Sequence, residues 1–493
     1  METPQMTRQI SKTLMMLMVL AGSMALMSGT SSAQGRSIQP YEKVGGQQTF
    51  YVEPGGTGPM VANNRANPSN ANDMRQQLCT TIPAGSTVVF LNGVYDTNNL
   101  FSNEVYIQKR NCSRNNPILI KAQTKGKAII DSTRTVCTFR ANSGRGPGIT
   151  GGFEFNNSSG FVVQGFWVKG SGAPCAGYEQ GLDAFNSSHI TFRGNKVTDV
   201  GGRGIGSNDS SSIRIEDNLI IGAAGSHPSC TSAIDHFHFE LQGDDNDEFG
   251  YANYIINNKV INTRQAPNCG SNGFTETDGN CMVIDRTTET SYPLSTLIAN
   301  NVCIDSDGGG IHIFESGNID VFHNTTYRSN RAHDFSGEFH VNCHTSGLAS
   351  NVRFIGNVAV GYPGKYALWG RGNCADPSSI IFKNNVVVGD SLVAGQDGVR
   401  IQTTTNTNAP LGCSNTNIIG MSLAEAGFTD PGQTFGDSFR LKRGSKLINK
   451  GCNRALPMAA MKYDNRFGKG DKYRFRRFGQ RIDIGAQEYF GRP

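Results

Sequence analysis

The sequence predicts an all-β protein, folded as a single-stranded right-handed parallel β-helix with an N-terminal cap and a C-terminal irregular or β-stranded extension. Three observations lead to this prediction. The 493-residue chain contains 60 glycines and only 17% charged residues, which is typical of turn-rich β proteins. Short strands with alternating apolar residues recur along the chain. Asparagines mark the corners between these strands, so the chain has an internal repeat.

The corner asparagines recur at intervals of 23 to 43 residues. They are Asn195, Asn218, Asn258, Asn301, Asn324, Asn357 and Asn385. The shortest interval fits one coil of a β-helix, and the longer intervals fit a coil with an inserted loop. Equivalent strands of successive coils lie about 4.8 Å apart, and stacked asparagines can satisfy backbone groups at the tight inner corners. The chain lacks the consensus of leucine-rich repeats, and a β-sandwich is the alternative fold.

The N-terminal segment, residues 1–33, is predicted to be a signal peptide. Arg8 and Lys12 precede an apolar run at residues 13–27, and small residues follow it. The run is short for a stable membrane span, so an uncleaved anchor is the less favoured alternative. We therefore expect a secreted or periplasmic protein.

The rest of the chain divides into three predicted segments. Residues 34–85 form an N-terminal segment and cap with a short helix at 72–79, and residues 86–400 form the β-helix. Residues 401–493 form a basic C-terminal extension that packs on the helix. Residues 440–493 carry 15 Lys or Arg against 4 Asp or Glu, and the body before them is net acidic. No recognition motif for nucleic acid accompanies this charge, so none is expected to bind.

The cysteine pattern predicts disulfide bonds. The chain has 12 cysteines, an even number, scattered without a CxxC pair. An exported protein with this pattern is expected to oxidise its thiols, and a zinc site would need tighter clusters. The plausible pairs are Cys79–Cys112, Cys230–Cys269, Cys343–Cys374 and Cys413–Cys452.

Three stretches of the chain resemble the pectate-lyase-like right-handed parallel β-helix proteins of carbohydrate metabolism. The first is "AGSTVVFLNGVYD" followed by "NPILIKA", the second is "DGNCMVID" with "GGGIHIFESGNIDVFHNTTY", and the third is "FRLKRGSKLINKGC" with "IDIGAQEY". Together they span most of residues 50–490. The resemblance implies the architecture and a carbohydrate-active protein. It also implies a calcium requirement, since related lyases commonly use this ion, but it does not imply one reaction, because the fold hosts several.

Substrates of such proteins lie along one outer sheet, so the outward side chains of aligned strands are the candidate site. Alternation predicts Asp183, His236, His238, Glu240, Asp285, His312, Glu338 and His340 on the outside. The inward partners include Phe237, Phe239, Ile311 and Ile313, and Ala367 and Trp369 or their neighbours. An ordinary solvated surface is the alternative for any one outward residue, but repetition of His, Asp and Glu on successive strands favours a functional face.

A second dense spot is the acidic stretch "HFHFELQGDDNDEFGY". Hard oxygen ligands this close together could hold calcium, with Glu240, Asp244, Asp245 and Asp285 as the candidate metal ligands. The stretch lacks the EF-hand spacing, and a solvated acidic loop is an equal alternative.

The favoured function is a polysaccharide lyase that cleaves uronic-acid-containing glycans by β-elimination. Such an enzyme needs a base and an electrostatic clamp on the uronate carboxylate. The candidate catalytic residues are His238, His312, Arg286 and His340, with Lys365 as a further candidate base. The candidate substrate-binding residues are His236, Asp183, Glu315, Lys365 and Arg371. A polysaccharide is the expected partner of a monomer without a stable membrane span.

Two alternatives remain open on the sequence alone. A glycoside hydrolase would use two carboxyl groups that flank one bond, such as Asp285 with Glu315 or Asp183 with Glu240. A non-catalytic glycan-binding or surface protein would also suit the disulfides, the repeats and the basic tail. Loss of His238 or His312 would leave such a protein unaffected.

Overall fold

The computed structural model describes residues 48–96, 105–131, 150–170, 179–225, 231–237, 245–247, 250–265, 278–288, 292–332, 336–343, 349–371, 376–405, 414–431, 439–451 and 483–486. All of them belong to one compact unit, residues 40–493. Their strands form three long sheets in which every pairing between neighbouring strands is parallel.

The first sheet holds one face of the coil. Its strands are β1 (Thr49–Val52), β2 (Thr87–Phe90), β5 (Ile118–Ala122), β8 (Ser159–Gln164), β11 (Ser188–Arg193), β14 (Arg214–Glu216), β17 (Asn253–Ile256), β20 (Thr296–Ala299), β23 (Gly317–Phe322), β26 (Ser350–Ile355) and β29 (Ile380–Lys383). β1 already pairs with β2, so the parallel stacking begins at residue 49.

The second sheet carries the candidate site. Its strands are β4 (Val105–Gln108), β7 (Thr150–Asn156), β10 (Glu179–Phe185), β13 (Ile205–Asn208), β16 (Ile234–Phe237), β19 (Met282–Asp285), β22 (Ile311–Phe314), β25 (Gly337–Asn342), β28 (Tyr366–Arg371) and β31 (Leu392–Gln396).

The third sheet has the shortest strands. They are β3 (Gly93–Asp96), β6 (Ala128–Asp131), β9 (Trp167–Lys169), β12 (Lys196–Thr198), β15 (Leu219–Ile221), β18 (Lys259–Ile261), β21 (Val302–Ile304), β24 (Thr325–Tyr327), β27 (Val358–Val360), β30 (Val386–Val388), β32 (Thr403–Thr404) and β33 (Asn417–Met421).

Each coil contributes one strand to each sheet in turn, which is the topology of a parallel β-helix. Parallel crossovers of this kind are right-handed, and the predicted right-handed parallel β-helix is confirmed. Aliphatic and aromatic side chains from the three sheets fill its interior. Phe354 and Phe382, for example, stack on successive coils with ring centroids 4.5 Å apart.

The predicted asparagine ladder is confirmed and is longer than predicted. Each side-chain amide donates to the Oδ1 of the next asparagine at 2.8–3.2 Å, from Asn195 to Asn417. The same Oδ1 also accepts the backbone N–H of the preceding asparagine, as Asn301 does from Asn258 at 2.8 Å. The ladder thus satisfies buried backbone groups at the corners between the first and third sheets from Asn195 to Asn417.

The ends of the helix are covered by short elements. The helix predicted at 72–79 is α1 (Ala71–Gln77), whose N-cap Asn70 accepts the backbone N–H of Asp73 at 2.9 Å. Near the C-terminus, α2 (Leu423–Ala426) starts with a capping box. It packs with the segments around Phe439 and Ile484 on the third sheet in a second apolar cluster.

Two disulfides join described cysteines. The predicted Cys79–Cys112 bond is confirmed. The Cys281–Cys303 bond was not predicted, and it links the second sheet to the third across a corner. Each of the other three predicted pairs includes a cysteine outside the described residues. The predicted signal peptide at 1–33 also lies outside the described residues. In the part of the chain that the structure describes, no helix is long and apolar enough to cross a membrane.

Candidate active site on the second sheet

Strand pairing defines which side chains of the second sheet point outward from the β-helix. In β22, Ile311 and Ile313 point into the core and are fully buried. His312 points outward and pairs with His340 of β25, and their rings stack with centroids 3.7 Å apart. The predicted column of His312 and His340 is therefore confirmed.

The predicted orientation of β16 is wrong by one residue. Ile234 pairs with the core residue Met282, so Asp235 points outward, and His236 pairs with the core residue Ile284. His236 is 1% exposed and hydrogen-bonds through Nδ1 to Ser207 Oγ in the interior. Burial lowers the pKa of His236 well below its usual range, so a neutral core histidine replaces the predicted surface ligand.

Glu338 was also predicted to face outward, and this is wrong. It is the second residue of β25, in register with Gly310 and Ala367, where side chains point into the interior of the β-helix. Glu338 is fully buried, and neither of its carboxyl oxygens has a hydrogen-bond partner of normal geometry among the described residues. One coil on, Leu368 rather than Trp369 occupies the core position, and Trp369 pairs with His340.

Two parallel rows of side chains follow from this register. The buried row contains Asp183, Asp235, His312, His340 and Trp369, each at most 9% exposed. The outer row lies two residues further along each strand and contains Phe185, Asn208, Phe237, Asp285, Phe314, Asn342 and Arg371. Members of the outer row are partly or fully exposed, so this is where a substrate can approach the sheet.

Arg286 is the cation at the centre of the outer row. Its guanidinium lies between two rings of that row, 5.4 Å from the centroid of Phe237 and 5.9 Å from that of Phe314. Its Nε is 3.6 Å from Asp285 Oδ1, and 40% of the side chain is exposed. The two rings and the carboxylate hold the guanidinium in a defined place.

Asp285 is the titratable member of the outer row. Burial, followed by the nearby Asp235 carboxylate, raises the pKa of Asp285 well above its usual range, and Arg286 opposes this shift. The raised pKa keeps a proton on the carboxyl group under conditions where an exposed aspartate has lost it. One fifth of the Asp285 side chain is exposed, so the proton is available to a bound molecule.

His312 has the opposite character. Its Nε2 lies 2.6 Å from Asn342 Oδ1 and donates to it, which leaves Nδ1 as the acceptor nitrogen. Nδ1 is buried and has no hydrogen-bond partner among the described residues. Burial lowers the pKa of His312 to about 4, against a smaller opposing effect of Asn342, so the imidazole is neutral at physiological pH.

Carboxylates and an arginine continue the buried row at its N-terminal end. Asp235 accepts a hydrogen bond from Thr231 Oγ1 at 2.6 Å and lies 3.9 Å from Arg203 Nε. A β-carbon at Gly206, between Asp183 and Asp235, would come within 2.5 Å of the Asp183 carboxylate. Glycine at this position therefore makes room for the Asp183 and Arg203 side chains.

The other predicted site residues lie in different places. Glu315 is 1% exposed and follows β22 at the corner next to Asp285. Arg371 ends β28 in the outer row, three coils from Asp285, and Lys365 precedes β28 at the opposite end of that strand. Lys365 is therefore remote from Arg286. His238, Glu240 and Asp244 lie outside the described residues.

The described residues do not assemble a metal site. Asp245 is exposed, and no group of three His, Cys, Asp or Glu side chains within the described part of the chain is placed to hold an ion. Arg286 Nε lies 3.6 Å from Asp285 Oδ1, and its positive charge opposes the binding of a cation there. The predicted calcium ligands thus remain a prediction, and no catalytic step is assigned to a metal.

Sequence reasoning missed four of these positions. Asp235, Phe237, Phe314 and Asn342 were either assigned to the wrong face or passed over as apolar or neutral. Ile234 is the residue from which these positions could have been predicted. If this apolar residue before "DHF" is placed in the core, the alternation shifts by one, and Phe237 aligns with Phe314.

The solved structures to which this chain is similar are remote from it in sequence. A glycoside hydrolase family 136 lacto-N-biosidase from Eubacterium ramulus is 12% identical, with a TM-score of 0.42 over 76% of this chain and 68% of that one. A rhamnogalacturonan lyase is 11% identical, with a TM-score of 0.37 over 77% and 88% of the two chains. A mannuronic-acid-specific family 6 polysaccharide lyase from the human gut microbiota is 12% identical, with a TM-score of 0.39 over 77% and 84%.

By its sheet topology the chain has a parallel β-helix fold. No family model and no curated protein sequence matches it. The chemistry must therefore be argued from the side chains of the second sheet.

Proposed function

We propose that this protein is an enzyme that cleaves uronic-acid-containing polysaccharides by β-elimination along the outer row. The observation that carries the proposal is one juxtaposition on neighbouring coils. His312, a neutral imidazole with an unpaired ring nitrogen among the described residues, lies one coil from Arg286, a guanidinium held between two aromatic rings. A base next to a fixed cation is what proton abstraction beside a carboxylate requires.

Arg286 would bind the uronate carboxylate. The guanidinium is planar and always charged, and it can bind a carboxylate through two parallel hydrogen bonds. Neutralising this carboxylate stabilises the negative charge that develops when the neighbouring carbon loses its proton. Because the flanking rings of Phe237 and Phe314 hold Arg286 in place, little side-chain entropy is lost on binding.

His312 would accept the proton that the uronate carbon loses. Its neutral state at physiological pH follows from burial, and its hydrogen bond to Asn342 directs the remaining lone pair to Nδ1. Asn342 is partly exposed in the outer row. A substrate that displaces its amide from Nε2 would meet the imidazole at that nitrogen, with the ring proton moved to Nδ1. His340, on the neighbouring coil, stacks on the imidazole ring and keeps it in position.

Asp285 would complete the reaction as the acid. As the carbon gives its proton to His312, a carbon–carbon double bond forms and the bond to the 4-linked oxygen breaks. That oxygen then takes the proton of Asp285, so the products are an unsaturated uronate and a new sugar hydroxyl. The raised pKa of Asp285 suits the role of the acid, and the lowered pKa of His312 suits the role of the base.

A panel of uronic-acid polysaccharides tests the proposal. Purified protein is mixed with each polysaccharide, with calcium and with chelator, and the near-ultraviolet absorbance of the unsaturated product is followed. Arg286→Lys and His312→Gln should each lower kcat/KM by about 100-fold or more. Arg65→Lys is the matched control, since Arg65 also lies over an aromatic ring, Tyr51, but far from the outer row. Absence of unsaturated product from every member of the panel would refute elimination.

A specific observation favours an inverting glycoside hydrolase as the second candidate. Asp235 and Asp285 lie on adjacent strands two positions apart, which places their β-carbons about 8 Å from each other. Two carboxyl groups about 6.5–9.5 Å apart, one with a raised pKa, suit inversion with a water between them. New reducing ends without unsaturated product, lost in both Asp235→Asn and Asp285→Asn, would establish this reaction instead.

A further inference from the structure

Aromatic side chains recur on every second strand of the outer row, and the proposed elimination does not depend on this repeat. Aromatic rings occupy the row at Phe185, Phe237 and Phe314, on strands β10, β16 and β22, and each ring is partly exposed. The strands between them, β13 and β19, place the polar residues Asn208 and Asp285 in the same row. Rings and polar groups thus alternate from coil to coil.

The spacing follows from the stacking of the coils. Successive strands of a parallel sheet lie about 4.8 Å apart, so rings on every second strand lie about 9.6 Å apart. This distance is close to the length of two sugar units in an extended glycan chain. An aromatic face packs against the apolar face of a sugar ring, and the intervening amide or carboxyl group can hydrogen-bond the hydroxyls of the next unit.

The two-strand spacing of the outer row continues beyond Phe314. Two strands after Phe314, at the end of β28, the equivalent position carries the exposed Arg371. The amide of Asn342 lies between them. A cation at the distance of one more disaccharide offers a partner for a uronate carboxylate.

We propose that the outer row binds an extended acidic glycan parallel to the helix axis in steps of two sugars, with one sugar stacked on each of the three rings. Phe237 and Phe314 flank Arg286 and hold the sugars next to the reacting bond. Phe185 forms a distal subsite two coils away, and Arg371 binds a carboxylate at the other end. The inference rests on the proposed function for the class of ligand, but the two-sugar step depends only on the row.

Phe185 is the residue that separates this inference from the catalytic machinery. It lies two strands from Phe237 and four from Phe314, and it is not among the rings that hold Arg286. Replacement with alanine should therefore remove the distal subsite and leave the reacting centre intact. Loss of roughly 50 Å² of apolar contact corresponds to about a tenfold loss of affinity.

The test measures the affinity of uronic-acid oligosaccharides of two to eight sugars by titration calorimetry, in a His312→Gln background that does not consume them. Affinity should rise in steps of two sugars. Phe185→Ala should weaken binding of the longest chains about tenfold and leave the shortest unchanged, and Phe185→Tyr should restore it. Ile381→Ala is the matched control, because Ile381 is an exposed apolar residue of the first sheet.

Three outcomes would overturn the inference. They are no binding of any uronic-acid oligosaccharide, an equal gain in affinity for every single added sugar, and long-chain binding by Phe185→Ala that equals that of its parent. A failure of the proposed function looks different, because the two-sugar steps and the Phe185 effect would persist while the wild-type protein released no unsaturated product.

Discussion

Replacement of the buried Glu338 by glutamine should stabilise the protein relative to the wild type, and the difference should grow as the pH rises. Glu338 lies near the start of β25, at a position that holds glycine, alanine or cysteine on neighbouring coils, and it is fully buried. Burial raises its pKa to about 8, against a smaller opposing effect of Thr326 and Ser329. The carboxyl group is therefore protonated in the folded protein at neutral pH, whereas in the unfolded chain it is ionised.

The size and the sign of the effect follow from proton linkage. Below pH 4.5, the ordinary glutamate value, both states are protonated and the free energy of unfolding is unaffected. Between pH 4.5 and about 8 the unfolded state loses its proton and the folded state keeps it, so stability falls by about 1.4 kcal/mol per pH unit. The full loss is up to roughly 5 kcal/mol. Glutamine has the same shape and cannot ionise, so the Glu338→Gln variant escapes this loss.

The assay is equilibrium unfolding in urea from pH 4.5 to pH 8.5 with the disulfides intact, approached from both the folded and the unfolded side. The difference between Glu338→Gln and wild type should grow with pH by several kcal/mol. Glu425→Gln is the control, because Lys446 and Ser422 lower the pKa of Glu425 to about 2 and its difference should stay flat above pH 5. A flat difference for Glu338→Gln would show that this carboxyl group does not stay protonated and would refute the reasoning.

Three further predictions concern the site and the scaffold. The kcat/KM for elimination should rise with pH through about 4, because His312 must be neutral, and should fall above the raised pKa of Asp285; a single rise near pH 6.5 would contradict this. Asn301→Ala removes two donated and two accepted hydrogen bonds, so it should lower the urea-derived free energy of unfolding by roughly 2–4 kcal/mol; less than 1 kcal/mol would argue against the ladder. Serine at both Cys281 and Cys303 should cost about 3 kcal/mol in the same assay, and an unchanged midpoint would contradict it.

Much of the fold is readable from the sequence because every coil presents the same environment. The corner asparagines each need the same partners above and below, so the repeat from Asn195 onward appears as a spaced residue type. Strand alternation in "GIHIF" identifies Ile311 and Ile313 as core and His312 as outward, and the structure agrees. Local pattern was sufficient there because the apolar residues alternate without ambiguity.

The candidate site was predicted in part for a related reason. The column of His312 and His340 follows from two unambiguous strands, whereas "DHFHFE" can be aligned in either phase. Alternation with a period of two does not show which set of residues faces the core. The pairing of Ile234 with the core residue Met282 shows that Ile234 and His236 face inward. The predicted outward orientation of Glu338 was wrong for another reason. Near the start of a strand, successive residues such as Glu338 and Phe339 can both point inward, so the alternation does not apply there.

Stacked parallel coils with a polar face that contains His312, Asp285 and Arg286 are encoded locally. The order of these elements is repeated along the chain, so composition and period define it. The groups that meet across coils, such as Arg286 with Phe237 and Phe314, and the groups that are desolvated enough to change their protonation depend on the folded structure. Those contacts join residues that are distant in sequence, and burial depends on all of the chain packed around a group, which no single stretch of sequence records.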